Sequence, residues 1–319
     1  MPGEFELIRR HFARPACGAV LGVGDDCALV APSVGMELAI STDMLVAGTH
    51  FLPGTDPCQL GWKAVAVNLS DLAAMGAQPR WILLAISLSE ARDEWLAAFA
   101  EGVFACAARF SVELIGGDTT RGPLNLCLTA IGEVPPGEAL RRDRAVAGDD
   151  LWVSGQPGFA ALGLAHLQGR TRLAEALAAR CVDALNRPLP RVELGLALRR
   201  RHLARAAIDV SDGLLADLGH VLDGSRVGAE VLLAGLPQPI VGVEAELARR
   251  CQLTGGDDYE LVFCAPPAQR DQLVDLSADL GIPLSRFGRV VDAPPGSLRV
   301  IDEHGQPFGI ATRGYEHFA

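Results

Sequence analysis

The sequence predicts an α/β (α+β) protein built of two mixed domains, and three observations carry that expectation. Its 319 residues exceed the size at which a single hydrophobic core usually stops growing. Short apolar, strand-like runs alternate with helical patterns in both halves, and glycine–aspartate punctuation recurs after the strands. Proline, glycine and charge cluster between Pro135-Pro136-Gly137 and Asp149-Asp150, near the middle of the chain. Domains are therefore expected at 1–137 and 138–319, with no internal repeat of fixed period.

Leu21–Val30 and Met36–Thr42 read as the first two strands. The first carries Gly24-Asp25-Asp26-Cys27, and the second runs into Ser41-Thr42-Asp43. Thr49-His50-Phe51 then precedes a Pro/Gly/Asp loop. From Gly61 to Ala77 only Lys63, Asn68, Ser70 and Asp71 are polar. Such a segment reads as a helix that is apolar almost all round and hence buried, with Gly76 and Pro79 as its stop signal. Asn68 and Asp71, three residues apart, share one helical face. A carboxylate in that setting is costly unless it is paired or holds a metal, and a cap and a metal ligand are equally consistent with this segment. Arg80–Leu88 reads as a strand, Asp93–Arg109 as an amphipathic helix, and Val112–Ile115 as a short buried strand. That strand is expected to end in Gly116-Gly117-Asp118-Thr119-Thr120-Arg121-Gly122, where paired glycines allow close backbone approach to a ligand. Leu124–Val134 returns as a strand.

The second half restarts with strand Leu151–Ser154 and a Gly-Gln-Pro-Gly turn, followed by helical stretches to about Arg200. Ala206–Val210 reads as a buried strand leading into Asp209-Val210-Ser211-Asp212-Gly213, and Leu214–Val221 as a helix. Ser-Asp-Gly at that junction places a helix N-terminus beside two carboxylates. Strand Ala229–Leu233, helix Val243–Arg250 and Thr254-Gly255-Gly256-Asp257-Asp258-Tyr259-Glu260 come next. Strand Leu261–Cys264, helix Gln269–Leu280 and strands Arg286–Val291 and Leu298–Ile301 lead to Gly314-Tyr315.

Hydrophobic residues make up 49% and charged residues 21%, an ordinary globular balance. The net charge of −11 is spread along the chain, which argues against nucleic acid or an anionic membrane as a main partner. It also means that an anionic substrate would be repelled unless divalent cations intervene. Eight cysteines include no C-x-x-C pair, so a reduced cytoplasmic protein is expected rather than a zinc or disulfide framework. Pro2–Arg14 carries charges throughout and predicts no signal peptide, and apolar runs such as Trp81–Ile86 are far too short to span a bilayer. Lys63 is the only lysine. No G-x-x-x-x-G-K-[ST] and no G-x-S-x-G occurs, which excludes a P-loop and the commonest serine-hydrolase signature.

Taken singly, most of the acids are explained by turn or cap chemistry. Together, Asp26, Asp43, Asp71, Asp118, Asp209 and Asp212 stand beside glycine or hydroxyl residues at the ends or interiors of apolar elements. Hard oxygen ligands of this kind suit Mg²⁺, which keeps several waters and is shared with substrate phosphates. Converging on one cleft, they would make a multi-magnesium phosphate site.

Eight stretches match, in order, the motifs of the bacterial thiamine-monophosphate kinases. They are Gly24-Asp25-Asp26-Cys27-Ala28-Leu29, Ser41-Thr42-Asp43, Gly48-Thr49-His50-Phe51 and Asn68-Leu69-Ser70-Asp71 with the following Leu-Ala-Ala-Met-Gly-Ala. The rest are Ile115-Gly116-Gly117-Asp118-Thr119-Thr120-Arg121-Gly122, Ile208-Asp209-Val210-Ser211-Asp212-Gly213-Leu214, Gly255 to Leu261, and Gly314-Tyr315. The resemblance spans essentially the whole chain. It implies the aminoimidazole-ribonucleotide synthetase-like fold, with an N-terminal domain that dimerises through its strands and binds ATP and Mg²⁺, and a C-terminal domain that completes the active site. It implies transfer of the γ-phosphoryl of ATP to thiamine monophosphate, giving thiamine diphosphate. By motif position, Asp26, Ser41, Thr42, Asp43, Asp71, Asp118, Asp209 and Asp212 resemble the magnesium ligands, with Asp71, Asp118 and Asp209 central to catalysis. Gly117, Asp118, Arg142 and Ser211 resemble ATP contacts, and His50, Glu260 and Tyr315 resemble thiamine-phosphate contacts. Asp257, where many relatives have Glu, and Phe159, where an Asp is common, depart from the pattern.

The acceptor is a phosphate monoester with a second pKa of about 6, so near neutrality it is already largely a dianion and needs no general base. Direct in-line transfer without a phosphoenzyme is therefore expected, with positioning and charge neutralisation carrying catalysis. Two alternatives share the residues: another ATP-dependent synthetase or dehydratase of the same fold, and a non-catalytic divalent-metal binder. Cys17 lacks the glycine-rich context of the reactive residue in selenophosphate synthetases. Hydrogenase-maturation relatives end in cysteine, whereas this sequence ends His317-Phe318-Ala319, which favours the kinase.

Overall fold

The computed structural model describes residues 3–310 and 313–316, so the terminal His317-Phe318-Ala319 lies outside the described residues. The chain divides into two compact units, Met1–Leu72 with Ala77–Gly137, and Ala73–Gly76 with Glu138–Ala319. Both are mixed α/β.

The first unit carries helices α1 (Glu4–His11), α2 (Pro57–Ala74) and α3 (Asp93–Arg109), and strands β1 (Glu37–Val46), β2 (Gln78–Leu88), β3 (Glu113–Arg121) and β4 (Asn125–Val134). The strands lie in the order β1-β4-β2-β3. β4 is antiparallel to both neighbours, while β2 and β3 run parallel and are joined through α3, as a parallel pair requires. Leu60 to Ser70 of α2 are buried without interruption, as an all-round apolar helix must be. It crosses α3 at Gly61 and Gly102, where an added Cβ would meet Phe99 O at 2.1 Å and Cys58 O at 1.8 Å. The two backbones can touch there only because neither residue has a side chain.

Three local expectations are corrected here. Leu21–Val30 is not a strand but an excursion closed by an isolated Leu21–Leu29 bridge. Leu21 and Leu29 are exposed, and Gly24 at φ +130° breaks the extended run, so these apolar residues have no sheet to cover. β3 does not stop at Ile115 but continues through Gly-Gly-Asp-Thr-Thr-Arg, held by pairing of Leu83–Leu88 with Gly116–Arg121. Register overrides the turn preference of glycine and aspartate. Helix α1 has no counterpart among the elements expected from sequence, since of its described side chains only Leu7 and His11 are buried.

The second unit contains β5 (Asp150–Ser154), α4 (Phe159–Leu167), α5 (Glu175–Asn186), α6 (Val192–Arg200), β6 (Ala206–Asp209), α7 (Leu214–Ser225) and β7 (Gly228–Leu232). After these come α8 (Ala245–Thr254), β8 (Leu261–Ala265), α9 (Arg270–Leu280), β9 (Leu284–Val291) and β10 (Leu298–Ile301). Its sheet has the order β10-β7-β9-β5-β8-β6, antiparallel except for the β10–β7 pair. Leu151, Val153, Ile208, Val262 and Phe287 from the sheet pack with Leu214, Leu218 and Leu222 from α7. Burying side chains of this size contributes about 1.5–3 kcal/mol each before entropy is counted. Phe159 joins a smaller cluster with Leu162, Leu173 and Cys181, and the Arg180 guanidinium lies 4.1 Å from its ring centre, so that position serves packing in this chain. Among the described residues no helix is long and apolar enough to cross a membrane.

Candidate functional site

Each unit gathers part of the expected set. In the first, strand alternation turns Ser41 and Asp43 of β1 toward α2. There the Ser41 hydroxyl donates to Asp71 Oδ2, and the Asp43 backbone N–H donates to Asn68 Oδ1 at 3.1 Å. Asn68 is completely buried and returns a second bond, from Nδ2 to Ala64 O at 3.1 Å. Two polar links therefore fix β1 against α2 and bring Asp43 and Asp71 to one seam. An apolar helix tolerates Asn68 and Asp71 because both are engaged, whereas the buried Ser70 hydroxyl of the same helix has no hydrogen-bond partner among the described residues.

Thr42, between Ser41 and Asp43, belongs to the opposite face by the same alternation, and its hydroxyl shares a 2.8 Å hydrogen bond with that of Thr129. A role beside its neighbours would fall to its main-chain oxygen. Asp26 is exposed in the loop, where its N–H donates to Asp25 Oδ1 at 2.8 Å. Asp118 is exposed on β3, in register with Ala85 of β2. Strand β3 lies three spacings from β1, roughly 14 Å across the sheet. Gly117 beside it adopts φ +151°, and a Cβ there would meet Leu84 O at 1.8 Å.

His50 closes a turn on itself: the Val46 N–H donates to its Nδ1 at 3.0 Å, so the neutral ring carries its proton on Nε2. Lys63, the chain's only lysine, is 1% exposed and reaches His50 O at 3.4 Å.

Among the described residues no three His, Cys, Asp or Glu side chains stand together as a metal cluster. The Ser41 hydroxyl and Asp71 carboxylate that meet, and the Asp43 carboxylate two residues along the same strand face, are all hard oxygens. That set fits Mg²⁺, which is held by one or two carboxylates plus substrate phosphates and its own waters rather than by an all-protein cage.

In the second unit three motifs meet. Asp209, 5% exposed, ends β6 opposite Leu261. The next residues accept or donate main-chain bonds to the Gly255–Glu260 segment: Tyr259 N–H to Val210 O, Asp257 N–H to Ser211 O, and Val210 N–H to Glu260 O, each at 2.8 Å. Tyr315 N–H donates to Asp212 O at 3.0 Å, bringing the Gly314-Tyr315 motif to the same turn. These bonds hold Asp257 and Tyr259 at φ +68° and +52°, conformations that non-glycine residues seldom adopt.

The turn does not present its amides outward. Ser211, Asp212 and Gly213 all donate their N–H groups to one oxygen, Oδ2 of Asp217, at 3.1, 3.0 and 3.0 Å. The anion that the start of α7 favours is thus supplied from within the chain, and Ser211 is left to meet any phosphate through its hydroxyl. Burial raises the Asp217 pKa to about 7 against these three N–H groups, and the nearby Asp212 charge adds to the rise. Burial likewise pushes Asp258 well above the usual carboxylate range, although Gly158 N–H and Ala160 N–H donate to it at 2.7 and 3.3 Å.

Glu260 is 6% exposed and closely bound. The Ser154 hydroxyl donates to Oε2 at 2.5 Å, Arg191 Nε donates to Oε2 at 2.6 Å, and a second Arg191 nitrogen donates to Oε1. Arg191 gave no sequence signal, because its partner stands 69 positions away. Arg142 is placed elsewhere: its carbonyl accepts from Ser225 Oγ at 3.0 Å, at the far end of α7. That end lies roughly 17 Å from the Ser211–Gly213 turn at 1.5 Å per residue, so the two could share one nucleotide but not one phosphate.

Residues 24–134 match the AIR synthase related protein, N-terminal domain, and residues 146–301 match the AIR synthase related protein, C-terminal domain. The chain is 46% identical over 324 aligned positions to the thiamine-monophosphate kinase of Escherichia coli K12, covering 99% of this chain and 98% of that one. It resembles the crystal structure of thiamine-monophosphate kinase from Stenotrophomonas maltophilia K279a, with TM-score 0.83, 46% identity and 95% of each chain covered. It also resembles AaThiL complexed with AMPPCP and TMP, with TM-score 0.77, 27% identity, and 90% of this chain and 89% of that one covered.

Proposed function

Since the chain belongs to the AIR synthase related family and, within it, to the thiamine-monophosphate kinases, we propose that it phosphorylates thiamine monophosphate to thiamine diphosphate with ATP as donor. The observation that carries this reading is a 46% identity that runs over 99% of the chain and leaves no domain unaccounted for. The structural relative complexed with AMPPCP, an ATP analogue, and TMP supports the pairing of donor and acceptor.

The chemistry follows from charge. The acceptor phosphate is mostly a dianion near pH 7 and is a nucleophile as it stands. What this chain must do is hold it in line with the γ-phosphorus of ATP and offset the repulsion between two anions. The aspartates expected at the site are anionic, the chain's one lysine is buried and the net charge is −11, so none of these supplies that positive charge. Mg²⁺, when bound, supplies it. Asp43, Asp71 and the Ser41 hydroxyl would hold it in the first unit, with Asp26 and Asp118, and Asp209 and Asp212 in the second, as further carboxylates toward the nucleotide. Gly117, Ser211 and Arg142 serve as ATP contacts, and His50, Glu260 and Tyr315 as thiamine-phosphate contacts. The phosphoryl group moves directly, with no phosphorylated protein intermediate.

The domain assignment and the dimer belong to the same reading. The face of β1 turned away from α2 exposes Leu38, Ile40 and Met44 by 39%, 62% and 54%, an apolar stripe suited to a second copy of the chain. A reduced, cytoplasmic setting fits the cysteine pattern. The test is purified protein with ATP, Mg²⁺ and thiamine monophosphate, scored for thiamine diphosphate. Absence of product would leave a metal binder or a sibling enzyme of the same fold, and a kinetically competent phosphoenzyme would refute direct transfer.

A further inference from the structure

We infer that Arg191 is a positioning residue that fixes the Glu260 carboxylate for the thiamine-phosphate acceptor, so that its loss is felt by that substrate and not by ATP. The inference rests on the reading of Glu260 as an acceptor contact. It adds a residue to which the sequence motifs give no part.

The geometry is that of a fork gripping a carboxylate. Two nitrogens of Arg191 address the two oxygens of Glu260, and the Ser154 hydroxyl adds a third bond to Oε2. Ser154 is itself held, since its oxygen accepts the Leu261 N–H at 2.9 Å. The opposite side is closed by Gly155 at φ +58°, where an added Cβ would fall 1.9 Å from Glu260 Oε1. Carboxylate rotation is therefore restricted from three directions. Burial works against the charge on Arg191, but the hydrogen bonds and charge of Glu260 outweigh it and keep its pKa above the ordinary arginine value.

A buried pair held this firmly is more than a brace for the sheet. It presents a charge-balanced carboxylate whose one remaining lone pair, on Oε1, can accept an N–H from a ligand, without adding net negative charge next to a phosphorylated substrate. Lysine could balance the charge but not the direction, because an ammonium group offers no planar fork. Misplacing a contacting group by about 1 Å can cost up to a hundredfold, which sets the scale of the effect.

The experiment compares Arg191→Lys, Glu260→Gln and the double variant in steady-state kinetics, varying thiamine monophosphate and ATP separately, with melting curves for each. We expect Arg191→Lys to raise the KM for thiamine monophosphate by about 10- to 100-fold while the KM for ATP stays within about twofold. The double variant should be no worse than Glu260→Gln alone, as for two groups acting as one unit. If Glu260→Gln impairs the acceptor KM but Arg191→Lys matches wild type, Arg191 is only structural and the inference falls. It falls equally if Arg191→Lys raises both KM values together. If Glu260→Gln leaves the acceptor KM unchanged, the assignment of Glu260 fails first, and the role of Arg191 with it.

Discussion

Replacing Gly117 with alanine tests the β2–β3 register against the simplest possible change, one methyl group. The new Cβ would lie 1.8 Å from Leu84 O, where contacts closer than about 3.0 Å are essentially never seen, so the strands must part by more than 1 Å. Ladder hydrogen bonds do not survive that separation. Losing two of them costs about 2 kcal/mol, and a side chain held at φ +151° adds about 1–3 kcal/mol. The sum of about 3–5 kcal/mol is a large fraction of the 5–15 kcal/mol that typically stabilises a domain. Gly116→Ala is the control, because its Cβ would meet only Leu83 Cδ2, at 3.1 Å, and a leucine methyl can give way. Urea unfolding of both variants, followed by tryptophan fluorescence, should show a large midpoint loss for Gly117→Ala and a small one for Gly116→Ala. In any surviving Gly117→Ala protein, turnover should fall further than stability explains, because Asp118 is carried out of place. Equal midpoints for the two variants would refute the register argument.

Three further outcomes follow. Asp71→Asn should melt near wild type, because the amide oxygen still accepts the Ser41 hydroxyl, while turnover falls by about two orders of magnitude or more; retained turnover would make Asp71 only a cap. Asp217 has a folded pKa raised to about 7 from 3.8, so the folded state binds that proton more tightly than the unfolded chain. Its stabilisation is complete below about pH 4 and is lost as pH rises to about 7, by up to roughly 4 kcal/mol. Asp217→Asn should therefore lack this slope, and parallel stability profiles for the two proteins between pH 4.5 and 8 would contradict the assignment. Ile40→Lys places a charge on the exposed face of β1 and should convert a dimer to a monomer in light scattering; a wild-type protein already monomeric at micromolar concentration would remove that face as a self-association site.

Long periodic elements were legible in the sequence. The run from Gly61 reads as a buried helix because nearly every residue is apolar, and α3 is found at Asp93–Arg109 as its pattern predicts. What sequence could not weigh was partner geometry. Gly-Gly-Asp looks like a turn until β2 is laid beside it, and Leu21–Val30 looks like a strand until no partner strand appears. The site divides the same way. Asn68 and Asp71 share a helix face by spacing alone, but their ties to Asp43 and Ser41 depend on which strand the helix covers. The Ser-Asp-Gly junction places a helix N-terminus beside two carboxylates by sequence, but that its amides close on Asp217 depends on how the turn is folded. The link between Arg191 and Glu260 is invisible at any local range.

The burial of Lys63 has a practical consequence. This chain has no other lysine, so amine-acylating reagents find no side-chain target on the folded surface. Immobilisation or fluorescent tagging through lysine would select for molecules whose first unit has opened. The same property makes acylation of that one residue a clean clock for opening, since each modified side chain records a single excursion of α2 from its place.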